Sequence, residues 1–246
     1  MIRRLKVAWP GQVPEIVSSG RPLRLLAVSD EVERAFDFES NRIALEPLDA
    51  ILGAGDLEPD YLQFLADAYH VPLLYVRGNH DRGANWEALK VNLPRRIDGR
   101  IETIGGIHIA GMSWPGSQRG QAQRDSYSAW QQALGLFFRS RLRRKPTIML
   151  SHVPPRGLGD TPEDYYHRGF SAYHWLCRRI NPVLWVHGHT SLAMRNDWRV
   201  QWGDTTLINV TGAVLIEIEP PSLSGATIAA PTGATAGQGP SGAEES

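Results

Sequence analysis

The chain has 246 residues, with 26 Lys plus Arg against 26 Asp plus Glu, 42% apolar residues, 24 Gly, 17 Pro and a single Cys. That length supports one globular domain with a sizeable core, and a formal charge of zero leaves no global field to draw it onto nucleic acid or an anionic membrane. Cys177 by itself makes neither an internal disulfide nor a cysteine zinc site, and no apolar stretch reaches the roughly 18 residues of a membrane span, so a soluble protein of a reducing, cytoplasmic compartment is expected.

Residues 1–21 carry Pro10, Gly11, Pro14 and Gly20 and read as an N-terminal arm or as an edge strand added to the main body. Short apolar runs come next: Leu23 to Val28, Ala50 to Leu52, Leu73 to Val76, Ile107 to Ala110, Thr147 to Leu150, Val183 to Val186, Leu207 to Val210 and Val214 to Ile218. Their length suits strands. Between them, Tyr61, Leu62, Phe64, Leu65 and Ala68 fall at helical spacing after Pro59, as do Trp130, Leu134, Phe137, Phe138 and Leu142, and then Tyr173, Trp175, Leu176 and Ile180. The alternation predicts one layered α/β domain over 22–219, whose late strands, with little helix between them, complete a second sheet. Beyond it, residues 220–246 are nearly all Ser, Gly, Ala, Thr and Pro and are expected to form a disordered tail.

The chemistry gathers just past the ends of the apolar runs. Ser29-Asp30 comes after the first, Gly53-Ala54-Gly55-Asp56 after the second, and Arg77-Gly78-Asn79-His80-Asp81 after the third. Later, Thr147 to Leu150 leads into Ser151-His152, and Val183 to Val186 into His187-Gly188-His189-Thr190-Ser191. In open α/β sheets the carboxyl ends of strands form the ligand crevice, so these side chains should converge. Oxygen and imidazole donors without thiolates describe a site for Mn, Fe, Zn or Mg. Taken singly, Asp30 or Asp56 reads as well as a cap or turn residue, and His152 before Pro154-Pro155 as a loop histidine; together and in order they point to a metal site.

At these residues the chain resembles the calcineurin-like metallophosphoesterase superfamily. Its motifs are Asp-x-His, Gly-Asp, Gly-Asn-His-Asp/Glu, a lone His and Gly-His-x-His. They are matched here by Asp30, Gly55-Asp56, Gly78-Asn79-His80-Asp81, His152 and Gly188-His189. The resemblance implies a β-sandwich flanked by helices, in α-β-β-α layers, and metal-dependent hydrolysis of a phosphate ester. It implies that Asp56 bridges two metals while Asn79, His152 and His189 complete the second site. His80 would lie beside the scissile phosphate, oriented by Asp81. The first site would use Asp30, Asp56 and two further histidines, but those positions hold Val32 and Ser191. A strong second site and a weak or empty first one are therefore expected, with Glu31, Glu33 or His187 as substitute donors and Mn as the best-suited ion.

No large insertion separates the motifs, which favours an open site and a small phosphodiester or nucleotide-like substrate. The loops from Trp114 to Asp125 and from Pro154 to Gly169 are candidates for the substrate rim, with His167 and Arg168 as phosphate contacts. Long nucleic acid is not expected as a substrate, since Arg139, Arg141, Arg143, Arg144 and Lys145 form the one basic run and suit a solvated helix end. The eight Trp mostly suit core packing. The rival reading is a catalytically weakened member serving as a binding or scaffold module; oligomeric state is left open.

Overall fold

Leu23–Ser29 (β2) is apolar at nearly every position and buried along almost its whole length, as a strand covered on both faces must be. In the computed structural model, which describes residues 2–81, 86, 94–116, 124–143, 147–192 and 197–219, it lies inside the first of two six-stranded sheets. Ala50–Gly53 (β3), Leu73–Tyr75 (β4) and Arg95–Arg96 (β5) extend that sheet in parallel on one side. On the other side Gly212–Glu219 (β12) pairs antiparallel with β2, and Arg3–Ala8 (β1) closes the edge parallel to β12. The second sheet has a parallel centre of Ile107–Met112 (β7), Thr147–Ser151 (β8), Leu184–His187 (β9) and Thr205–Asn209 (β11). Its antiparallel edges are Ile101–Ile104 (β6) and Arg199–Trp202 (β10).

Strand alternation builds three apolar layers. Leu25 and Ala27 face Ile148, Leu150, Val186 and Ile216 in the centre of the sandwich. Leu26 and Val28 point outward to Leu62 and Leu65 of Pro59–Tyr69 (α3), beyond the short helices Pro14–Ser19 (α1) and Glu39–Ile43 (α2) in chain order. Met149 and Trp185 face outward on the second sheet, under Ser126–Arg143 (α4) and Ser171–Ile180 (α5). The layering is α-β-β-α, as the sequence suggested. Cys177 of α5 is fully buried there as a small apolar residue.

Two details differ from the sequence expectation. The late strands do not all join the second sheet: β11 does, but β12 returns to the first, where Val214 pairs with Ala27 and Ile216 with Leu25. In α4 the helical period holds but the face is rotated. Ala129, Ala133 and Leu136 meet the core, while Trp130, Leu134 and Phe138 remain partly exposed. Small alanines let the helix approach the sheet closely, and the large rings lean sideways, with Trp130 and Phe137 against Trp175 of α5. The tail 220–246, Arg144 and Lys145 of the basic run, and residues 117–123 of the proposed rim lie outside the described residues.

Candidate metal centre

The loops after β2, β3 and β4 in one sheet and after β8 and β9 in the other meet at one end of the sandwich. Asp30, Asp56, Asn79, His80 and His189 line a cleft of about 550 Å³ there, together with Trp114, Tyr166 and His167. The backbone is strained to bring them in. Asp30, Asp56 and His189 have φ of 59°, 56° and 67°, a left-handed conformation uncommon outside glycine. Two glycines allow the loops to touch. A Cβ at Gly78 would sit 2.1 Å from Asp56 Oδ1, and one at Gly188 would sit 2.2 Å from Asp30 Oδ2.

His152 is wholly buried at the centre. Its Nδ1 lies 2.8 Å from the Ala54 carbonyl, so that nitrogen carries the proton and donates, and Nε2 faces inward. Around Nε2 stand Asn79 Oδ1 at 3.0 Å, Asp56 Oδ2 at 3.1 Å and His189 Nδ1 at 3.2 Å. His189 is fixed in the same way, its Nε2 donating to the Tyr166 carbonyl at 2.7 Å. Two carbonyls thus hold both rings by their outer nitrogens and turn the inner lone pairs toward each other, beside two oxygen donors. One atom from each of Asp56, His152 and His189 lies within 4.8 Å of the others. Four electron-rich atoms converging in a buried pocket fit a divalent cation.

The electrostatics match this crowding. Burial weighs against charge on His152, yet the Asp56 carboxylate and its hydrogen bond outweigh it and hold the imidazole up at about 9. Burial, reinforced by the His152 charge, pushes His189 down to about 3. Burial opposes ionisation of Asp56 as well, but His152 and the His80 N–H hold its carboxyl below the ordinary range.

The structure corrects several residues. Asp81 does not orient the His80 ring: its Oδ2 accepts from the backbone N–H of Gly78 at 2.7 Å and of Asp56 at 2.9 Å, tying together the two loops that carry Asp56 and Asn79. Burial pushes its carboxyl up to about 6. His80 is held through its own backbone, whose N–H donates to Asp56 Oδ1 at 2.8 Å, and its side chain lines the exposed mouth of the cleft. His167 lines the cleft beside His189, with Nδ1 hydrogen-bonded to Asp164 Oδ2. Arg168 does not line it; its Nε donates to the Pro162 carbonyl and it faces a neighbouring cavity.

At the place of the missing histidines, Val32 offers no donor. Asp30 Oδ2 accepts from Ser29 Oγ at 2.6 Å, the His189 N–H at 3.0 Å and Thr211 Oγ1 at 3.3 Å. The substitute donors are turned to other work. Glu33 Oε1 accepts from the Ala35 N–H, and His187 Nδ1 bonds the Gly188 carbonyl with its ring against Gly159. Sequence reasoning missed two supports. Arg124 donates to the Tyr166 and Gly169 carbonyls and, with a further short bond, to that of Arg168, while its guanidinium lies over Phe170. Thr211 reaches Asp30 from the turn between β11 and β12.

A family model described as calcineurin-like phosphoesterase matches residues 29–191, a span that encloses every one of these donors. The chain belongs to that family. As a calcineurin-like phosphoesterase it is a metal-dependent phosphoric ester hydrolase, and its layered fold is shared with solved structures. The protein TT1561 of Thermus thermophilus superposes with a TM-score of 0.55 at 20% identity, covering 78% of this chain and 90% of that one. A dimetal phosphatase from Danio rerio gives 0.54 at 11%, covering 78% and 88%. At these identities the likeness is one of fold. No curated protein sequence matches the phosphoesterase. Among the described residues, no helix is long and apolar enough to cross a membrane.

Proposed function

We propose that the protein hydrolyses a small phosphodiester or nucleotide-like phosphoester in this cleft, in the cytoplasm, with one firmly held manganese ion. The observation that supports it most is the convergence of Asp56 Oδ2, Asn79 Oδ1, His152 Nε2 and His189 Nδ1, with both rings turned inward by bonds made elsewhere. Lewis acidity is what a divalent cation supplies in such a place: it makes water a better nucleophile and draws charge from a phosphoryl oxygen. His80, anchored through its N–H to Asp56 and lining the cleft mouth, is placed to give a hydrogen bond or a proton to the ester. His167, held by Asp164, faces the phosphate from the opposite rim. A cleft of about 550 Å³, walled by Trp114 and Tyr166, suits a nucleotide-sized ligand.

Asp30 with Asp56 would form only a weak further site, because Asp30 Oδ2 is engaged by three donors. The same engagement favours the second reading, a binding module that keeps the fold. An assay on bis(4-nitrophenyl) phosphate across a manganese titration, with His80→Ala in parallel, separates them. Turnover that saturates with metal and falls at least about a hundredfold in the variant supports hydrolysis. Folded protein with no turnover above the variant at any metal level supports the binding module.

A further inference from the structure

Behind the wall made by Tyr165 to Phe170 lies a second concavity that the reaction does not use. Two cavities of about 240 and 490 Å³ share Trp130, Arg156 and Ser171 and form one groove along the starts of α4 and α5. Arg124 enters it from before α4, Arg156 and Arg168 from the rim loop, and Arg178 and Arg179 from α5. Five arginines thus gather in a chain whose net charge is zero. No described carboxylate is among the lining residues, and none of the five is ion-paired with a described acid. Arg124 is committed to backbone carbonyls, but Arg156 and Arg178 are exposed.

Aromatic faces lie between these charges. Trp130 is 37% exposed, with its ring centroid 5.5 Å from that of Trp175, and Arg179 lies over Trp175. A leucine or alanine would cover α5 at that point as well and leave less apolar surface in water. Exposed rings set among guanidinium groups are the pairing that holds single-stranded nucleic acid: charge tracks the phosphates and rings stack the bases.

We propose that this groove is a second subsite, taking the neighbouring nucleotide of a short oligonucleotide substrate, with its phosphate against Arg156 and Arg178 and its base on Trp130. The proposal rests on the phosphodiester reading of the cleft, which shares the Tyr165 to Phe170 wall with the groove. The rings select a nucleotide over an inorganic polyanion, which guanidinium groups alone would bind equally well.

The test is fluorescence anisotropy with a labelled five-nucleotide phosphorothioate oligothymidylate, with turnover of bis(4-nitrophenyl) phosphate measured alongside. Trp130→Ala should weaken oligonucleotide binding about tenfold, as for one lost base stack, and Trp130→Phe should restore it. Arg156→Glu with Arg178→Glu should flatten the slope of log affinity against log salt by about 1.4, at about 0.7 per phosphate released from a single strand. Affinity that none of these changes alters, or inorganic polyphosphate competing as well as the oligonucleotide, overturns the subsite. Diester turnover without groove-dependent binding removes the subsite and leaves the proposed function standing. Groove-dependent binding without turnover does the reverse.

Discussion

The Asp81 carboxylate satisfies two buried backbone N–H groups on separate loops, and both belong to the frame of the metal centre. Charge-assisted bonds of this kind contribute about 1.5–3 kcal/mol each. Asp81→Ala is therefore predicted to lower the unfolding free energy by about 3 kcal/mol in urea titration and to weaken manganese binding in the same protein. Unchanged stability and metal affinity, with turnover alone reduced, would return Asp81 to the role of orienting His80. The left-handed backbone at Asp30, Asp56 and His189 belongs with this frame, because positions strained by about 1–3 kcal/mol persist only where their surroundings fix them. Each ligand's identity was legible in the sequence, since Gly-Asp, Gly-Asn-His and Gly-His are contiguous there. The second partner of each was not: Asp81 meets Asp56 across 25 residues, and Thr211 meets Asp30 across 181.

The segment from Pro155 to Phe170 acts as the outer wall of the centre, and Arg124 holds it in place. One guanidinium nitrogen reaches the Tyr166 carbonyl, which also receives the His189 Nε2–H. Loss of Arg124 should free that carbonyl and with it the ring of a metal donor. Arg124→Ala is predicted to weaken manganese binding 10- to 100-fold by calorimetry, roughly the usual range for a residue that supports a ligand. Arg124→Lys should not restore it, because an ammonium cannot span several carbonyls as the guanidinium fork does. On the neighbouring α5, burial pushes the Cys177 thiol up to about 11. Native protein should resist thiol reagents at neutral pH, with labelling only upon global unfolding; rapid native labelling would mean that α5 lifts from the sheet. The period of α4 was legible in its sequence but its inward face was not. The rings at Trp130 and Phe138 outweigh Ala129 and Ala133 on any apolar scale, whereas close packing on a sheet favours the alanines.

Across the molecule, the central strands of both sheets were visible as apolar runs, because burial on both faces leaves no room for polar alternation. Sheet membership was not visible. Val214 to Ile218 and Leu207 to Val210 look alike in sequence, yet they pair in different sheets, the first with β2 far back in the chain and the second with the nearby β9. β1 likewise finds its place only through β12, and from it Arg3 donates to the carbonyls of Asn209 and Thr211, behind the Asp30 loop. A net charge of zero gave no sign of the groove, since five arginines from separate segments are balanced by acids elsewhere in the chain. The central claim is that the chain keeps one complete set of metal donors and has lost most of the other. The most direct test is the metal content of manganese-loaded, gel-filtered protein by mass spectrometry, for wild type, His152→Ala and Val32→His with Ser191→His. One ion per chain in wild type, near none in His152→Ala and a rise toward two in the double variant are predicted. Two ions retained equally by the wild-type chain, or one retained unchanged without His152, would contradict the account.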